Sequence, residues 1–109
     1  MRILKSVYTT EYYKYRAADT KQKLRRHEKM PRLYLVVINR ARGNRIEFFR
    51  SDELLQPCYP ETDLIIAGFA ESKTKARELL VRITDDALEK RSNVDLAAFL
   101  LDNAEVIEL

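Results

Sequence analysis

The chain has 109 residues, 46% hydrophobic and 34% charged, with a formal net charge of +3. That length supports one hydrophobic core and leaves no room for a second, and the composition is that of an ordinary globular domain. No run of eighteen apolar residues occurs, which excludes a transmembrane helix and a membrane partner. The lone Cys58 excludes an internal disulfide, and the basic N-terminus lacks the apolar run of a secretory leader, so the expected setting is the cytoplasm.

The charge is unevenly divided. Residues 1–50 carry 14 Lys and Arg against 4 Asp and Glu, a balance of +10, whereas residues 51–109 carry 6 against 13, a balance of −7. Such asymmetry points to contact with a polyanion or to mutual attraction of the two halves.

In chain order, the stretch "YYKYRAADTKQKLRRHEK" at 12–29 holds three tyrosines and seven Lys or Arg. Written as a helix from about Thr10, it places Tyr8, Tyr12 and Tyr15 on one face, joined only by Leu24. A helix without a buried stripe is marginal in water. Residues 1–31 therefore read as a basic segment, mobile in part, ahead of a compact core at 32–109 within one domain. A strand at 2–8 is the alternative for its beginning. "LYLVVIN" at 33–39 is apolar on both faces and rich in β-branched residues, the pattern of a central strand. Gly43-Asn44 suits the positive φ of a tight turn. "RIEFFRS" at 45–51 alternates, completing a hairpin with a basic tip. Pro57 and Pro60 exclude a central strand in the next loop, where Cys58 reads as half-buried and inert. "LIIAGFA" at 64–70 is a third strand.

Ser72 is a candidate N-cap. Behind it, Ala76, Leu79, Leu80, Ile83 and Ala87 form one apolar stripe at helical spacing. Glu78, Arg82, Asp86 and Lys90 make a ladder of alternating sign on a solvated face, with Asp85 beside it. Val81 and Leu88 lie off the stripe, one heptad apart, and are candidate interaction residues. Ser92 and Asp95 resemble a capping box before a short helix with Leu96, Phe99 and Leu100 on its apolar face. The tail "AEVIEL" suits a strand or a docked extension. The expected fold is α+β: a three-stranded antiparallel sheet, a hairpin plus one strand, covered on one face by a long amphipathic helix and a short C-terminal helix, with a basic N-terminal helix.

Catalytic sets are missing. One histidine and one cysteine exclude the usual zinc sites, two isolated glycines exclude a phosphate loop, and His27 lies in the least anchored segment. The chain is expected to be no enzyme and to need no cofactor. Three basic groups remain as candidate nucleic-acid contacts: Lys21, Lys23 and Arg25 in the opening segment; Arg40, Arg42 and Arg45 at the hairpin tip; Lys73 and Lys75 at the front of the long helix. Cations there are disfavoured by about 0.3–1 kcal/mol each, which suits a docked anion.

The order of a helix, three strands and a long helix opening "ESKTKARELL" is similar to that of the double-stranded-RNA-binding domain, over residues 10–90. The resemblance implies an α-β-β-β-α fold with Lys73 and Lys75 contacting phosphates. The chain departs from that family in the long, proline-bearing loop between the second and third strands. The expected function is a small nucleic-acid-associated protein that contacts phosphates through its basic surface. The alternative is a protein-interaction module, a homodimer in particular, with no nucleic-acid role.

Overall fold

The computed structural model describes residues 2–55, 63–91, 95–102 and 105–109. Among them the elements run β1 (Arg2–Thr9), α1 (Ala17–Arg25), β2 (Tyr34–Asn39), β3 (Arg45–Arg50), β4 (Leu64–Ala70), α2 (Lys73–Arg91), α3 (Leu96–Asp102) and β5 (Val106–Glu108). The strands form one sheet in the order β3-β2-β4-β1-β5. β2 is antiparallel to both β3 and β4, β1 is parallel to β4, and β5 is antiparallel to β1.

The α+β class holds, and the expectation for the sheet changes. The sheet has five strands and is mixed, where three antiparallel strands were expected. The segment 2–9 is a strand beside β4, and the C-terminal tail supplies β5 as an edge. Over residues 10–90 the α-β-β-β-α order is found, as α1, β2, β3, β4 and α2, but β1 precedes it and enters the same sheet. The long helix α2 and the short helix α3 cover one face, as expected, and α1 covers the other. Ile3, Leu35, Val37, Leu64, Ile66 and Phe69 pack with Tyr13, Leu24 and Leu33 on the α1 side. Leu4, Val36, Ile38, Ile65, Ala67 and Ala70 pack with α2 and α3 on the other. A sheet covered on both faces needs apolar residues at consecutive positions. This accounts for the unbroken burial of "LIIAGFA" in β4, the middle strand of the five.

Both neighbours of β4 are irregular against it. Val36 pairs with Gly68 and Val37 with Ile66, so Ala67 is an extra residue in β4. The bulge reverses the side-chain alternation, carrying Phe69 to the same face as Leu64 and Ile66. β1 pairs Ile3 with Ile66 and then Tyr8 with Gly68. Its middle therefore bows away from β4, and the Lys5 amide donates instead to the Glu105 carbonyl.

The hairpin forms as expected. Gly43 (φ 70°) and Asn44 (φ 61°) take the left-handed conformation. The Asn39 side chain accepts from the Ala41 amide and donates to Glu47 Oε1. Ser72 caps α2 through the Lys75 amide, and Asp95 caps α3 through the Ala98 amide. Ser92, Cys58, Pro57 and Pro60 lie outside the described residues. The stripe of Ala76, Leu79, Ile83 and Ala87 is buried. The charge ladder is not wholly solvated: the Tyr8 hydroxyl donates to Asp86 at 2.7 Å, and Arg82 donates to the Thr9 carbonyl at 2.9 Å. These two residues fasten α2 to the end of β1. Val81 and Leu88, the candidate interaction residues, are exposed, at 59% and 44%.

Candidate nucleic-acid interface

The opening segment folds by a different set of anchors from those its periodicity suggests. Residues 11–16 form turns, with the Tyr13 and Arg16 amides donating to the Thr10 and Tyr13 carbonyls. Tyr13 is only 6% exposed and packs against Phe69, with ring centroids 6.1 Å apart. α1 follows, holding Thr20 and Leu24 buried. It stops without a glycine: His27 takes a φ of 57°, its amide donates to the Leu24 carbonyl, and the Glu28 amide donates to the Lys23 carbonyl. That is the Schellman closure. The chain then turns back through residues 29–32. The Tyr13 hydroxyl donates to the Arg32 carbonyl, and the Ser51 hydroxyl donates to the Met30 carbonyl. The segment is tied to the sheet through Tyr13, Leu24 and Leu33 and through the Ser51–Met30 hydrogen bond.

Between α1 and the 29–32 turn lies a cavity of about 410 Å³. Arg16, Asp19, Thr20 and Lys23 line one wall, at helical spacing along one face of α1. Lys29 and Arg32 line the cavity from the 29–32 turn, and Tyr12 and Tyr13 join the lining. The lining carries four cations and one carboxylate. Asp19 pairs with Lys23 at 3.4 Å. Among the described residues no carboxylate forms an ion pair with Arg16, Lys29 or Arg32. The Arg16 guanidinium lies 4.3 Å from the centroid of the Tyr12 ring and donates to the Tyr12 carbonyl. Tyr12 meets Tyr13 edge to face at 4.8 Å. Tyr12 is 37% and Tyr15 87% exposed, and Lys14 lies over the Tyr15 ring at 5.5 Å.

Burial, and then the negative potential of Tyr12 and Glu71, pushes the Tyr13 phenol up to about 12, with Arg16 and Arg32 acting in the opposite sense. Its unfolded value is 10.0. The protonated phenol therefore stabilises the fold fully below pH 10, and that contribution is lost as pH rises from there through about 12. Tyr13→Phe is expected to cost about 0.5–1.5 kcal/mol at pH 9, from the lost hydrogen bond to Arg32. The cost should shrink when urea midpoints are compared between about pH 10 and 12. A pH-independent difference contradicts the assignment.

The three expected basic groups do not converge. Lys21 donates to the Lys5 carbonyl at 3.0 Å, closing the bowed middle of β1, and Arg25 is exposed near the end of α1. Lys23 lines the cavity. Arg40, Arg42 and Arg45 surround the hairpin tip, where Asn39 pairs with Arg45 and Leu64, and Arg42 pairs with Glu47 at 3.5 Å. Lys73 and Lys75 lie beyond the other end of β4, where Ala70 pairs with Tyr34, and Lys75 pairs with Glu78 at 3.1 Å. A strand of this length separates the tip from the α2 start by roughly 17 Å, while α1 and α2 cover opposite faces. What the fold gathers instead is Lys23 with Arg16, Lys29 and Arg32. The spacing of Arg16, Asp19, Thr20 and Lys23 is a sequence signal for that grouping once α1 is started at Ala17 rather than Thr10.

Among the described residues no group of three or more His, Cys, Asp or Glu side chains is placed to hold a metal, and no helix is long and apolar enough to cross a membrane. Comparison of the chain with protein-family models, curated proteins and solved structures finds no match.

Proposed function

We propose that the chain is a non-enzymatic nucleic-acid-associated protein that holds a single strand against the basic face built from residues 12–32. The supporting observation is the cavity wall of Arg16, Lys23, Lys29 and Arg32 beside two accessible tyrosine rings. Cations take phosphates, and aromatic faces stack on unpaired bases whatever their sequence. The separation of the other basic groups favours a single strand followed over one face above a duplex spanning all three. A cytoplasmic setting fits this reading.

The test is fluorescence anisotropy of a labelled oligonucleotide across salt concentrations. Four phosphate contacts predict a slope of log K against log salt of about −3, at about −0.7 per contact on a single strand. Arg16→Gln with Arg32→Gln should lower its magnitude by about 1.4. No binding of any strand at about 50 mM salt removes the proposal.

A homodimer is the second reading, favoured by the exposure of Val81 and Leu88 on α2. Two side chains two helical turns apart make a smaller patch than a stable interface needs. Sedimentation of the free chain, run alongside the titration, removes this reading if the mass stays at 12.8 kDa through the micromolar range.

A further inference from the structure

Building on that reading, we infer that the cavity between α1 and the 29–32 turn is a site for a nucleotide phosphate monoester: the phosphorylated end of a strand, or a free nucleoside monophosphate. A volume of about 410 Å³ is near the lower end of the range of roughly 300–1,000 Å³ for small-molecule sites. That space suits one nucleotide rather than a run of them.

The charge is matched to a monoester. Four cations and one carboxylate leave the lining at +3. An internal phosphodiester brings one negative charge, whereas a monoester brings about 1.5–2 near neutral pH and three acceptor oxygens. Arg16 is held by the Tyr12 ring and carbonyl, so its fork is fixed in advance. The Arg32 backbone is held at its carbonyl by the Tyr13 hydroxyl, which sets where its side chain leaves the turn. A preorganised guanidinium such as that of Arg16 loses little freedom when an anion arrives. The first turn of α1 adds to the field, since Arg16 stands at its N-cap with no side-chain cap. Tyr12, a lining residue that is 37% exposed, supplies an aromatic ring for the attached nucleoside.

The experiment compares one labelled oligonucleotide in three forms: 5′-phosphorylated, 3′-phosphorylated and hydroxyl at both ends. A nucleoside monophosphate and its parent nucleoside are titrated separately by calorimetry. The expected result is a preference of about tenfold or more for one phosphorylated end over the hydroxyl strand, the size of one added charge-assisted hydrogen bond. Lys29→Ala with Arg32→Gln should abolish that preference; both side chains are exposed, and circular dichroism checks the fold. Binding of the monophosphate, but not of the nucleoside or any strand, assigns the site to free nucleotides and removes the strand-binding function. Strands that bind equally whatever their ends, with no monophosphate binding, overturn this inference and leave the strand-binding function standing. A preference that survives the double substitution also overturns it, because the phosphate is then held elsewhere.

Discussion

Phe69→Ala is expected to lower the unfolding free energy by about 3–5 kcal/mol. Phe69 is fully buried in β4, the middle strand, and is the largest fully buried side chain among the described residues. It belongs to the cluster that joins the sheet to Tyr13, Leu24 and Leu33. Removing its ring leaves a cavity that flanking strands cannot collapse into, and the lost packing adds to the lost transfer free energy. Against a typical total of about 5–15 kcal/mol this is a large fraction. Phe69→Leu keeps most of the volume and should cost less than half as much. Urea unfolding of both variants checks the order. The same substitution removes the support beneath Tyr13, so binding at the basic cavity should weaken even where the variant stays folded. A loss below about 1 kcal/mol would contradict the two-faced core described above.

Gly68→Val is expected to destabilise by about 1–3 kcal/mol, as overpacking does. A Cβ at this position would stand 3.2 Å from the Tyr8 carbonyl oxygen, 3.4 Å from Leu79 Cδ1 and 3.5 Å from Tyr8 Cβ. The first of these is backbone in the neighbouring strand, so relief requires β1 to shift relative to β4, and valine adds two methyl groups to the same space. Gly68 lies just after the bulge at Ala67, where Leu79 of α2 comes close to the sheet. The effect should appear in urea midpoints and as faster hydrogen exchange at the Thr10 amide, which donates to the Phe69 carbonyl at the end of the ladder. An unchanged midpoint would mean that the two strands are not held at this spacing.

Much of the fold is legible in the residues, and the exceptions have physical causes. "LYLVVIN", "LIIAGFA" and the stripe from Ala76 to Ala87 form the expected strands and helix because their patterns are long and regular. β1 is obscured because Lys5 and Ser6 occupy the section that bows away from β4, interrupting the alternation. β5 has three residues, too few for a period. α1 is underestimated because its anchors are scattered: Tyr13 precedes it, Leu24 lies within it, and Met30 and Leu33 follow the reversal at His27. The basic character of the candidate site is plain in the composition of residues 12–29. Its grouping is not, because Lys29 and Arg32 reach Arg16 and Lys23 only through that reversal.

The parallel pairing of β1 with β4 bears on how the chain assembles during synthesis. Arg2 and Ile3 pair with Ile65 and Ile66, so β1 has no partner in β4 until some sixty further residues have been synthesised. The β2–β3 hairpin closes locally long before, and β5 waits for β1. Contacts so remote in sequence slow folding. β1 therefore spends the interval without its sheet partners, open to whatever chaperone or neighbouring chain reaches it first.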